Sequence, residues 1–262
     1  NFPILRDRLN SVDLQLAQTA EKMNAELNEF RGKGSRKAIF TIHSDDVRLG
    51  DYTELLPILK DYNVPASIAI PPGNIGLNGY MTWKQIDELV NQHGWSVMSH
   101  TLNETQLPDV SLEEADRQLR ESKEKIEARG YKCEHFVYPN GRFDDRHVEL
   151  AKKYYKSSGT IIYDGFNEYP VKSHYLRRSY LQTSSNYVNS VKTELDKLAV
   201  LGGWFILFTH GQNLTGANGP TLKSYLREII EYVQSLNIEV LNHDEAWEEV
   251  GNVIDLGLYG SE

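Results

Sequence analysis

From residue 36 onward, strand-like and helix-like segments alternate without a break, and this alternation constrains the fold more than any other feature of the chain. Residues 37–43, 66–70, 95–99, 134–138, 158–163, 175–181, 204–209 and 239–241 read as strands: short, apolar and rich in β-branched or aromatic side chains. Helical periodicity fills 51–62, 82–92, 111–128, 144–155, 188–200 and 221–236. Thr82 is placed to cap its helix, Ser111-Leu112-Glu113-Glu114 reads as a capping box, and Gly130 closes that helix. Repeated β–α units predict a parallel sheet. Seven or eight strands in about 225 residues favour an α/β barrel over an open sheet.

In a closed parallel fold the C-terminal strand ends converge on one face. Here those ends carry chemistry. The run Ile39-Phe40-Thr41-Ile42-His43-Ser44 stops at two adjacent carboxylates, Asp45 and Asp46. Adjacent strand residues point opposite ways, so the pair can divide its roles; the competing reading is a helix cap. After 95–99 come His100, Thr101 and Glu104, and one helical turn would put His100 and Glu104 on a common face. Tyr138-Pro139-Asn140-Gly141 forms a turn after 134–138, and Phe208-Thr209-His210 closes 204–209. A lone histidine after a strand is usually structural, but four such groups at converging ends are a site. Asp, His and Glu together make a metal set with an open position.

Composition removes other classes. A net charge of −9 over 262 residues argues against a nucleic-acid partner and against an anionic membrane surface. No apolar run reaches membrane-spanning length. One cysteine, Cys133, excludes an internal disulfide and a multi-cysteine zinc site, and reads as a small filler near a strand start. Residue 1 is not Met and begins no signal peptide, so the sequence reads as a processed or excised fragment.

Residues 1–35 differ from the rest. Phe2, Leu5, Leu9, Val12, Leu16, Met23, Leu27 and Phe30 fall mostly three and four apart, with Thr19 filling one slot. That is a narrow, heptad-like stripe of about four heptads, ended by Gly32, Gly34 and Ser35. It predicts a coiled-coil-like oligomerisation helix, with packing on its own domain as the alternative. A parallel homotrimer is expected, a dimer being the runner-up. The division is therefore 1–35 and a barrel domain at 36–262.

The order of the polar groups resembles the polysaccharide deacetylases of the NodB-homology family, carbohydrate esterase family 4. That family has an Asp-Asp pair after its first strand, then His-Ser/Thr-x-x-His, an Arg-x-Pro-Tyr-Gly-like turn and a late Leu-x-His. The counterparts are Ser44-Asp45-Asp46-Val47, His100-Thr101-Leu102-Asn103-Glu104, Val137-Tyr138-Pro139-Asn140-Gly141 and Phe208-Thr209-His210. The resemblance spans roughly residues 37–245 and implies a distorted (β/α) barrel of about seven strands. It implies Asp45 as general base and His210 as general acid. It implies Asp46, His100 and Glu104 as ligands of a divalent metal, Zn²⁺ first and other divalent ions as alternatives. The Asn140 backbone N–H would stabilise an oxyanion beside Tyr138, and Phe208 would line an acetyl pocket.

Two departures matter. Glu104 stands where the family has its second histidine, making a harder, more anionic ligand set. Val137 stands at the motif arginine, leaving Asp45 without its usual partner. Arg178 is a candidate substitute, a surface or ion-pair role being the expectation. His43 shares Asp45's strand face and reads as a packed histidine, with an extra metal ligand as the alternative. The leading expectation is a metal-dependent deacetylase of an N-acetylated glycan, acting outside the cell, at its surface or on a virion. The alternatives are an amide hydrolase of small molecules and a non-catalytic glycan-binding or fibre domain.

Overall fold

The computed structural model describes residues 36–162 and 165–255, with Gln18, Thr19 and Lys22 as further helical residues. The rest of the heptad stripe lies outside the described residues.

The strands are β1 (Ala38–Asp45), β2 (Ser67–Ile70), β3 (Ser96–Ser99), β4 (His135–Val137), β5 (Ser157–Gly159), β6 (Ser179–Tyr180), β7 (Gly203–His210) and β8 (Glu239–Val240). They form one sheet in the order β5-β4-β3-β2-β1-β7-β6, with β8 on β1. Every pairing between named strands is parallel. The ends of the path meet through Leu176, whose N–H donates to Ser158 O (3.1 Å) and whose carbonyl accepts from Thr160 N (2.8 Å). The sheet thus curls into the expected distorted (β/α) barrel.

The distortion sits where the expected strands 158–163 and 175–181 shrink to β5 and β6. Between them Asn167 replaces ladder bonds with side-chain bonds: its Oδ1 accepts from Arg177 N and its Nδ2 donates to the carbonyls of Arg177 and Trp204.

Helices α1 (Leu56–Tyr62), α2 (Trp83–His93), α3 (Leu112–Glu127), α4 (Asp145–Ala151), α5 (Tyr187–Leu201), α6 (Gly211–Thr215), α7 (Gly219–Ser235) and α8 (His243–Asp255) accompany the strands, with a π-helical turn, Asp51–Leu55, opening α1. Thr82 caps α2 in a full capping box with Gln85, and Gly94 ends it at φ 68°. The box expected at Ser111 is half formed. Ser111 Oγ accepts from Glu114 N, but the Glu114 carboxylate is drawn to Arg117 and Gln118 instead. Helices α6 and α8 were not expected from the sequence.

Strand β1 organises the interior. Phe40 and Ile42 belong to the large core that includes helix residues such as Leu195 and Leu226, and Phe40 stacks on Phe205 with centroids 5.7 Å apart. The alternate residues face the barrel axis. Ile39 packs with Trp204, Ile206, Leu176 and Ala246. Thr41 Oγ1 accepts from Trp204 Nε1 at 2.8 Å. His43 Nε2 lies 3.1 Å from His243 Nδ1, and Asp45 ends the series. One strand face therefore passes from an apolar floor to an acid at the rim.

Candidate active site

Asp45 and His210 are register partners at the tips of the adjacent strands β1 and β7. Both line a cavity of about 200 Å³, shared with Asp46, His100, Glu104, Tyr138, Pro139, Asn140, Ile161, Arg178, Tyr180 and Phe208. All eight site residues proposed for chemistry or substrate contact (Asp45, Asp46, His100, Glu104, Tyr138, Asn140, Phe208 and His210) thus border one space. A larger groove of about 450 Å³ beside α5 shares none of them.

The loops that carry these groups are bent hard. Asp46 (φ 76°), Val47 (φ 60°), Thr101 (φ 59°), Glu104 (φ 60°) and Asn140 (φ 52°) all adopt left-handed backbone without being glycine. For β-branched Val47 and Thr101 this conformation is strained, and such strain gathers at functional sites. Two glycines let the segments that follow β1 and β7 approach each other closely. A Cβ on Gly50 would lie 2.1 Å from Gly211 O, and one on Gly211 would lie 2.2 Å from Asp51 N. The loop after β1 and the first residue of α6 therefore touch backbone to backbone.

Arg178 corrects the surface expectation and agrees with the ion-pair one. It is buried, not on the surface, and it supplies the partner that Val137 cannot. Its Nη1 and Nη2 donate to Asp45 Oδ1 and Oδ2 at 2.8 and 3.0 Å, while Nε donates to Thr160 O at 2.8 Å. The guanidinium carbon lies 4.3 Å from the centre of the Phe208 ring. Burial alone would raise the Asp45 pKa, but the charge of Arg178, with His100 behind it, holds it far below the usual carboxylate range. His43, packed against His243, fits the structural reading.

His100 is oriented by Val137 O, 2.9 Å from its Nδ1, which makes Nδ1 the N–H. Its Nε2 faces Asp46 Oδ1 at 3.4 Å. Burial opposes charge on both, yet the pairing prevails: it lowers the Asp46 pKa and raises that of His100. His210 Nε2 is 4.0 Å from Asp46 Oδ2, and Gln212 Nε2 donates to the same oxygen at 3.3 Å.

Glu104 is engaged elsewhere. Arg48 Nη2 donates to its Oε2 at 3.3 Å and Asn74 Nδ2 to its Oε1 at 2.9 Å. The divalent ion implied by the resemblance does not fit these side chains as they stand. Asp46 and His100 offer two facing donors, but the third is taken, and among the described residues no group of three or more His, Cys, Asp and Glu is placed to hold an ion. The sequence reading missed Arg48, Asn74, Tyr180, Ile161 and Gln212. Tyr180 carried a weak signal, since it stands two positions after Arg178 within the expected strand 175–181.

Residues 32–156 match the family model for polysaccharide deacetylase. The chain is 26% identical over 137 residues to YxkH of Bacillus subtilis (strain 168), a protein named as a polysaccharide deacetylase, covering 52% of this chain and 49% of that one. It is also 26% identical over 137 residues to a poly-β-1,6-N-acetyl-D-glucosamine N-deacetylase of Staphylococcus epidermidis, covering 47% of each. The chain thus spans about half the length of these curated relatives. Among solved structures it resembles the Streptococcus pyogenes deacetylase PplD in complex with acetate, with a TM-score of 0.53, 25% identity and coverage of 57% of this chain and 69% of that one. Over residues 32–156, just under half of its length, the chain is thus similar to the polysaccharide deacetylase family, at low identity to the relatives that carry that name.

Proposed function

We propose that this chain is a hydrolase that removes N-acetyl groups from an amino-sugar polymer. The observation that carries the reading is the register pairing of Asp45 with His210 across one cavity. Asp45 takes a proton from the attacking water. The Arg178 fork keeps it ionised and fixed, at the expense of basicity, so Asp45 serves by orientation as much as by proton affinity. His210 delivers a proton to the departing amine, which leaves poorly until protonated. Phe208, Tyr180 and Ile161 offer apolar wall to the acetyl methyl, and the turn at Asn140 presents a backbone N–H to the developing oxyanion. Metal dependence requires that Glu104 first be released from Arg48 and Asn74.

The test is acetate release from N-acetylglucosamine oligomers set against small acetamides. Asp45→Asn and His210→Ala should each lower kcat by a factor of about 10²–10⁴ while leaving the circular dichroism unchanged. Equal rates in the variants, or no release from any glycan, refute the reading. A second reading, glycan binding without turnover, draws on the engagement of both Glu104 oxygens, and predicts retained oligomers with no acetate.

The apolar stripe in residues 1–35 supports self-association, which we infer to be a parallel trimer holding barrels of residues 36–262. A polymeric glycan substrate places the protein outside the cell, at its surface or on a virion. No helix among the described residues is long and apolar enough to cross a membrane.

A further inference from the structure

Arg48 follows Asp45 and Asp46 at the end of β1 but has no part in the reaction above. Its guanidinium lies between the carboxylates that a divalent ion would need: Nη2 is 3.3 Å from Glu104 Oε2 and Nε is 3.8 Å from Asp46 Oδ2. Its face rests on the Tyr80 ring, with the guanidinium carbon 4.0 Å from the ring centre. The backbone is equally fixed. Arg48 bridges Tyr80 in antiparallel fashion, flanked by Leu49 N to Gly79 O and Met81 N to Val47 O, each 2.9 Å.

We propose that Arg48 is the resident cation of this site, so that Asp46, His100 and Glu104 can hold a divalent ion only by exchange with it. Carboxylates sharing a partly buried space need positive charge between them. An arginine supplies that charge permanently, whereas a histidine or a water would not. An incoming ion and Arg48 compete for Glu104 Oε2, and the displaced guanidinium keeps its place on Tyr80. Ion affinity is then the difference between two cations in one site. The replacement of a ligand histidine by Glu104 and the placement of Arg48 belong together: the added negative charge is met inside the chain. This inference concerns the same cavity as the proposed reaction but not its turnover, so an ion titration reads it whether or not the chain deacetylates a glycan.

The experiment is calorimetric titration of the full chain with Zn²⁺ alone, at fixed ionic strength. Arg48→Met should bind at least about tenfold more tightly than the unaltered chain, which is about 1.4 kcal/mol. Adding Glu104→Gln to Arg48→Met should abolish the gain. Arg146→Gln removes the same charge from an exposed arginine paired with Asp144 and should leave affinity unchanged. Arg48→Gln gives the same reading should the methionine variant fail to fold. Affinity unchanged or weakened on loss of Arg48, or an equal gain in Arg146→Gln, overturns the proposal.

Discussion

Arg178 reaches Asp45 across 133 residues of chain and grips both of its oxygens, at 2.8 and 3.0 Å. Its stem passes over Gly159 on β5, where a Cβ would lie 2.9 Å from Arg178 Cδ, with Val137 close by. The arginine that the family resemblance places at Val137 on β4 is therefore supplied by the segment leading into β6, and the missing side chain of Gly159 clears its path.

Both members of this pair are buried, so removing one leaves the other charged and alone. Arg178→Met should cost about 3–5 kcal/mol in urea unfolding at pH 7. Arg178→Lys should fall between the two, because it restores charge but not the fork. Gly159→Ala should lower acetate release more than stability, since it displaces the arginine without deleting it. A methionine variant as stable as the parent would show that the pair does not stabilise the fold.

Beneath the site, His43, His243 and His135 form a buried chain through Ser157, ending at Asp244. Burial, with help from Arg178 and from one another, pushes His43 and His243 well below 6.5, and burial pushes His135 down to about 3. Unfolded, all three titrate near 6.5, so below that pH the unfolded chain binds more protons and stability falls. Buried Asp51 and Asp244, raised to about 8 and about 6, run the other way, gaining stability as pH falls toward their unfolded values. Between roughly pH 6 and 4.5 the histidines held down in the fold, His174 among them, outnumber the two raised carboxylates, so the unfolded chain binds more protons and stability falls on acidification. Urea midpoints should fall with pH across that window, and His243→Asn should make the fall shallower.

Gly50→Ala and Gly211→Ala each push a Cβ into backbone. Each should cost about 1–3 kcal/mol as an overpacked contact and reduce kcat, because the start of α6, next to His210, must lift. Thermal melts and acetate release check both. Gly76→Ala, whose Cβ meets no atom within 4 Å, carries only the strain of its φ of +80° and should leave kcat unchanged.

Deleting residues 1–34 should convert a trimer to a folded monomer by light scattering, with the circular dichroism of the barrel retained. A monomeric full-length chain would return the apolar stripe to its alternative, packing on its own domain.

The barrel and four of its rim residues were legible because each follows a short apolar run. Asp45, Asp46, His100 and His210 all stand where a β-branched or aromatic segment stops. Arg178 was legible only as a candidate, because β6 is two residues long and the bends before it are held by Asn167, so its burial and its grip on Asp45 had no periodic signal. Arg48 was hidden for another reason: its partner Glu104 lies 56 residues away, and sequence does not pair charges at that range. Helix α8 does have a signal in the sequence, the spacing of Ala246, Trp247 and Val250.

The alternation along β1 has one more consequence. A strand that slips by one residue turns every side chain to the opposite face. In β1 such a slip would carry Phe40, Ile42 and Ser44 to the axis and send Thr41, His43 and Asp45 among the helices. A single-residue insertion or deletion within Ala38–Asp45 would thus exchange the oil and the acid of the whole molecule at once. Outer loops can lengthen without that exchange, whereas the length of this one strand cannot change by a residue.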